Sequence, residues 1–174
     1  ARRTGLPFVL TFHGSDMNTW PDDHPDRLSD LRQALKDASA VFAVSRALAE
    51  RATSLTGVLT EPLPLGCDHG TLAAGAMAKD VARNTLALPS DRIVVPFVGH
   101  LKRSKGVREL GDAVLELGQP YMAVLVGDGP ERGYGLSDPR AEGVVSYRGS
   151  LAHDDVTPYM CAADVLVLPS YGEG

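Results

Sequence analysis

The chain has 174 residues, 44% of them hydrophobic, enough to bury a sizeable core in one large or two small globular domains without disulfide support. Its 17 Lys and Arg against 22 Asp and Glu give a formal net charge of −5, so the chain as a whole is not drawn to nucleic acid or an anionic membrane. The two cysteines, Cys67 and Cys161, lack paired spacing, which argues against a secreted disulfide framework and a Cys-rich zinc site and favours a reducing cytoplasm.

From the N-terminus, Leu6 to Phe12 is apolar but too short for a signal segment or a membrane span, and the missing initiator Met suggests residues upstream. Phe8-Val9-Leu10-Thr11-Phe12 reads as a parallel strand covered on both faces, stopping at His13-Gly14. Pro25 opens a helix with Leu28, Leu31, Leu35 and Ala38 on one face. Val41 to Val44 is a second buried strand, and Ser45 caps a helix from Arg46 to about Leu55 that Gly57 ends. Val58 to Leu65, interrupted by Pro62 and Pro64, fits only an edge or terminal strand, and Gly66 to Gly70 is a hinge.

Thr71 to Ala87 is weakly patterned and reads as linker with a short helix. Ile93 to Gly99 is then a strand, Val107, Leu110, Val114 and Leu117 form a helix face, and Met122 to Gly127 is a strand. Glu131 to Gly143 reads as a loop. Val144 to Arg148, a helix from about Asp154 to Ala163 and a strand Val165 to Leu168 complete the pattern. Strand and helix alternate in two blocks that split near residue 69, which predicts an α/β chain of two doubly wound units.

In open α/β sheets ligands bind beyond the carboxyl ends of the strands, so the loops there are the candidates. After the first strand, Gly14 lets a ligand approach the backbone and His13 can donate to a sugar hydroxyl; alternatively His13 and Asp16 satisfy a local turn. Gly99-His100-Leu101-Lys102-Arg103-Ser104-Lys105-Gly106 sets three cations before a helix expected to begin near Ser104, a pattern suited to a diphosphate or, more blandly, a solvated basic turn. Gly127-Asp128-Gly129-Pro130 has the wrong spacing for a dinucleotide fingerprint and suits either a turn beside a nucleotide base or a structural turn. Arg148-Gly149-Ser150 and Tyr171-Gly172-Glu173-Gly174 complete the edge, with Glu173 sterically open between two glycines. The scattered His and Asp residues match no metal-ligand spacing, and no G-x-S-x-G elbow supports a serine hydrolase.

Taken in order, these pieces resemble the retaining "group 1" glycosyltransferases of GT-B fold. Pro7 to Asp16 resembles that family's strand ending in His-Gly, Ala43-Val44-Ser45 its "vSxal" step, and Pro64 to Asp68 its "pNGvD" exit. Phe97 to Gly106 is similar to its G-R-L-x-x-x-K-G phosphate loop, Val126 to Pro130 to its "vGdGp" turn, and Ala163 to Gly174 to the "ADvlvlPSxxEG" segment that opens an E-x7-E motif. His100 departs from the Arg usual in the phosphate loop.

The resemblance implies two incomplete Rossmann-like units: 1–68 as the later part of an acceptor-side domain, and 69–174 as linker and first part of a nucleotide-sugar-binding domain. It implies His13 and Glu173 as catalytic residues at the transferred sugar, and Gly14, Asp16, Gly99, Arg103, Lys105, Gly127, Gly129, Arg148 and Gly172 as donor-binding. The donor would be a UDP- or GDP-sugar and the acceptor lipid-linked or a polysaccharide, with no obligatory cofactor or metal. The parent enzyme would be cytoplasmic, with peripheral membrane contact through an upstream part. The chain as given is expected to be inactive, lacking a second phosphate loop and the motif's second Glu. A non-catalytic nucleotide-sugar-binding module and a GT-B-like sugar-nucleotide epimerase are the alternatives.

Overall fold

The two apolar blocks each build a parallel sheet, and the computed structural model describes residues 5–173 of the chain. The described residues divide into two compact units, one within Ala1–Cys67 together with Gly172–Gly174, the other Asp68–Tyr171. Ala1 to Thr4 and Gly174 lie outside the described residues.

In the first unit, β1 (Val9–Phe12) pairs in parallel with β2 (Ala40–Ala43), and β2 with the two-residue β3 (Glu61–Pro62), in the order β1-β2-β3. Short helices α1 (Ser15–Asn18) and α2 (Trp20–Asp23) follow β1, and α3 (Leu28–Asp37) leads into β2. The helix α4 (Arg46–Thr56) starts where the Ser45 side chain accepts from Leu48 N at 3.2 Å and stops at Gly57, as its cap residues predict. Phe12, Met17, Leu35, Val41, Leu48 and Ala52 form the core.

The expectation of a first strand buried on both faces is corrected: among the described residues β1 pairs with β2 alone, only its Phe12 is buried, and Val9 is 59% exposed. The strand expected over Val58 to Leu65 shrinks to Glu61–Pro62, because proline has no N–H for a ladder. The one-turn helices α1 and α2 were not expected; segments this short show no period.

The second unit begins with α5 (His69–Ala74) and α6 (Lys79–Thr85), two helices where a linker with one was expected. Its sheet, β4 (Ile93–Val98), β5 (Tyr121–Val126) and β6 (Val145–Gly149), is parallel in that order, with α7 (Val107–Leu117) between β4 and β5. Strand residues alternate between two cores. Val95, Phe97, Ala123 and Leu125 meet Val107, Leu110 and Val114 of α7, while Val94, Val124 and Val126 meet Ala82 of α6 and Tyr159 of α8 (Thr157–Cys161). Both faces are covered, as the continuous apolar runs predict. Residues 131–143 form turns with one 3₁₀ turn, Pro139–Ala141; the Arg108 guanidinium of α7 anchors them by a two-pronged ion pair to Glu131 at 2.6 and 3.1 Å.

Two expectations at the end fail. The helix expected over 154–163 is a 3₁₀ turn, His153–Val156, followed by the five-residue α8. Val165 to Leu168 form no strand, and Val165, Leu166 and Leu168 are exposed. Asp164 is held at the edge of β4, its N–H donating to Val94 O at 2.9 Å and its carboxylate accepting the Val94 N–H at 2.7 Å while also binding Lys79 at 2.9 Å and Arg83; Pro96, next along that edge, has no N–H to extend the pairing.

Candidate functional site

The residues singled out from the sequence fall into two sets. In the first unit, His13, Gly14 and Asp16 form the turn after β1. Asp16 Oδ2 and Oδ1 accept from His13 N at 2.9 and 3.2 Å, and Oδ1 from Gly14 N at 2.9 Å. The carboxylate thus shapes the loop, and the His13 side chain is left exposed at its tip. The Gly14 carbonyl starts α1 by accepting from Met17 N and Asn18 N. Gly172 and Glu173 belong to the same unit and are exposed; Asn18 Nδ2, at the end of α1, donates to the Glu173 carbonyl at 2.9 Å.

In the second unit, the loops after all three strands interlock at the carboxyl edge. Gly99 N donates to Val126 O at 3.0 Å, Leu101 N to Asp128 O at 2.9 Å, Glu131 N to Leu101 O at 2.8 Å and Gly127 N to Gly149 O at 2.8 Å. Such an approach requires glycine at position 127, where φ is +135° and a Cβ would stand 1.8 Å from the Gly99 carbonyl oxygen. Gly129 lies in the same turn, its N–H held by Asp128 Oδ1 at 2.8 Å.

Between these loops opens a cavity of about 360 Å³, lined among others by Gly99, His100, Gly127, Asp128, Ser150 and Leu151. Its walls combine backbone, an imidazole, a carboxylate and apolar side chains, a mix able to hold a flat polar ring. A larger depression, about 640 Å³, lies at the other ends of the strands, beside Gly118 and Gln119 before β5 and Val144 before β6. In a parallel sheet that is the wrong end for a ligand site.

The cationic loop stands beside this edge. Arg103–Lys105 is a 3₁₀ turn, Gly106 is left-handed, and α7 starts only at Val107, so the helix begins later than the expected Ser104. Lys102 and Arg103 are exposed and Lys105 is half-buried. Arg148 is the extra residue of a bulge, since Tyr147 pairs with Leu125 and Gly149 with Val126. Its Nε is buried with no hydrogen-bond partner among the described residues, a donor that a bound acceptor would satisfy.

Asp128 belongs to the turn that the sequence sets beside a nucleotide base, whereas no local signal marks Leu151. Glu109 was also missed. It accepts a hydrogen bond from the Tyr171 hydroxyl, which holds its carboxyl below the usual range, and the Arg103 guanidinium lowers it further.

Residues 92–174 match the family described as glycosyl transferases group 1. The chain is 37% identical over 169 residues to TuaC of Bacillus subtilis (strain 168), whose name places it in teichuronic acid biosynthesis as a glycosyltransferase; the match covers 97% of this chain and 42% of TuaC. It is 32% identical over 192 residues to the 2-deoxystreptamine N-acetyl-D-glucosaminyltransferase of Streptomyces fradiae, covering 99% of this chain and 45% of the relative. The chain therefore spans somewhat less than half the length of these curated relatives. Among solved structures, Anabaena Alr3699/HepE in complex with UDP superposes with a TM-score of 0.77 at 23% identity, over 94% of this chain and 47% of that one. The sucrose-phosphate synthase of Thermosynechococcus elongatus gives 0.75 at 25% identity, over 98% and 46%. Residues 92–174 thus carry the group 1 glycosyltransferase match, and the chain as a whole has the α/β fold of GT-B structures.

Proposed function

We propose that the protein containing this chain transfers a sugar, with retention of anomeric configuration, from a UDP- or GDP-sugar to a lipid-linked or polysaccharide acceptor. In this reading 1–68 is the acceptor-side part and 69–174 the donor-binding part. The observation that carries it is the interlocked carboxyl edge of β4–β6, where a cavity of about 360 Å³ adjoins a loop bearing Lys102, Arg103 and Lys105. A nucleotide base fits the cavity, and its diphosphate needs the cations.

Lys105, assisted by Arg103, neutralises charge that builds on the leaving diphosphate, the residue type and place the phosphate step demands. Gly99, Gly127 and Gly129 bring backbone close to the nucleotide, and the unpaired Arg148 Nε offers a further donor. Glu173 accepts from donor-sugar hydroxyls beside Gly172. His13, on the turn that Gly14 and Asp16 shape, lies against the transferred sugar; Asp16 serves by holding that turn. The bond from the anomeric carbon to the phosphate oxygen breaks, the acceptor oxygen attacks from the same face, and the acceptor proton passes to the leaving phosphate. Two findings point to the nucleotide and the acceptor class: Alr3699/HepE has been solved with UDP and with UDP-glucose, and TuaC is named for teichuronic acid biosynthesis. Among the described residues no helix is long and apolar enough to cross a membrane.

The test is glycosyl transfer by the full-length protein, with the anomeric configuration of the product read by NMR. Lys105→Ala is expected to lower kcat by about 10²–10³, the effect of removing a donor that acts on transition-state charge. Inverted product, or full activity in the variant, contradicts the proposal.

A further inference from the structure

A segment far along the chain is fastened to the loop that carries Lys105. Pro169 presses on the loop's end: Gly106 has φ +68°, and a Cβ there would stand 2.1 Å from the Pro169 carbonyl oxygen. Tyr171 N donates to Ser104 O at 3.0 Å. The Tyr171 hydroxyl donates to Glu109, in the first turn of α7, and the Arg103 guanidinium lies near both partners. One residue thus holds the loop by its backbone and the following helix by its side chain, bracketing Lys105 from both sides.

We propose that Tyr171 and Glu109 are positioning residues for donor binding, their hydrogen bond fixing the 3₁₀ turn so that Lys105 is preorganised for a diphosphate. This rests on the reading of the loop as a phosphate site given above. The physical reason is entropic. A lysine side chain loses much rotamer freedom on binding, and a loop that must also be ordered at that moment lowers affinity further. Holding the backbone in advance removes the second cost. Tyr171 is 65% exposed, so the hydrogen bond adds little to global stability, and its effect falls on the loop. Glu109 is charged at neutral pH, since the Tyr171 hydroxyl and nearby Arg103 both favour its ionised form.

The experiment uses the full-length protein and four variants: Tyr171→Phe, Glu109→Ala, Glu109→Gln and the Tyr171→Phe/Glu109→Ala pair. UDP and GDP affinity is measured by calorimetry, donor and acceptor KM by steady-state kinetics, and amide exchange over residues 102–106 by mass spectrometry. Tyr171→Phe and Glu109→Ala should each weaken nucleotide binding and raise donor KM roughly three- to tenfold, the scale of one net hydrogen bond. Acceptor KM and Tm should stay unchanged, and the amides of Lys105 and Gly106 should exchange faster. Glu109→Gln, which still offers a carbonyl acceptor, should recover most of the affinity, and the double variant should be no worse than either single one. Failure of the wild-type protein to bind either nucleotide overturns both this proposal and the reading it rests on. Binding that Lys105→Ala weakens but Tyr171→Phe and Glu109→Ala leave intact overturns this proposal alone. Additive losses, or losses matched by a fall in Tm and a rise in acceptor KM, also contradict it.

Discussion

The two sheets are built from similar apolar runs but are buried very differently. In the second unit β4 and β5 lie between two cores, with α7 on one face and α6 with α8 on the other, and Val94, Val124 and Ala123 are fully buried. In the first unit the described residues supply one core, while Val9 of β1 is 59% exposed and Leu59, Leu63 and Leu65 are 51–72% exposed. An apolar strand sequence reports a propensity to be covered; whether cover is present depends on the neighbouring elements. The difference bears on the proposed chemistry, since the proposed phosphate loop leaves a sheet buried on both faces, whereas the His13 turn leaves β1, of which only Phe12 is buried.

The sharpest way to break this comparison is to make matched truncations in both sheets. Phe97→Ala, at the centre of the second unit's core, should cost about 3–5 kcal/mol, whereas Val9→Ala should cost less than about 0.5 kcal/mol. Equal losses in chemical denaturation would show that the two sheets are covered alike.

Next in size is Asp164, which joins α6 to the edge of β4. Burial alone would raise its carboxyl pKa, but hydrogen bonds from Lys79, Val94 N and Arg83 together hold it below the ordinary value of 3.8. Asp164→Ala leaves Arg83, 8% exposed, with backbone partners only, and should cost about 2–3 kcal/mol. The sign of the pH effect follows. With a depressed folded pKa, this stabilisation is complete well above 3.8 and is lost as the pH falls below it, so Asp164→Asn should flatten the acid limb of a stability–pH curve.

A smaller effect sharpens the first unit. Ser45→Ala removes the acceptor for Leu48 N and should cost about 1 kcal/mol, read as a shift in the denaturation midpoint.

What could be read from the sequence was whatever the chain encodes locally. The Ser45 cap, the Gly57 stop and the paired buried runs Ile93–Val98 and Tyr121–Val126 are short-range signals, and all took the expected form. The family resemblance likewise held, because its motifs sit in loops whose glycines are demanded by close backbone approach, as at Gly127. Other features depended on partners distant in the chain. The strand expected after Asp164 goes no further than that residue's bonds to Val94, 70 residues away, where Pro96 offers no N–H to extend them, and the link between Tyr171 and Glu109 spans 62 residues. Asp16 could be read either as a ligand-binding group or as the clasp of its own turn, and only coordinates reveal the hydrogen bonds to His13 N and Gly14 N.

The central claim is that the carboxyl edge of β4–β6 receives a nucleotide diphosphate. Hydrogen exchange of the full-length protein with and without saturating UDP or GDP tests it most directly. The account predicts that nucleotide slows exchange in 99–106 and 127–129, and that Lys105→Ala weakens this protection. Nucleotide binding that leaves both loops unchanged, or protects instead the far ends of the strands around Gly118 and Val144, would contradict it.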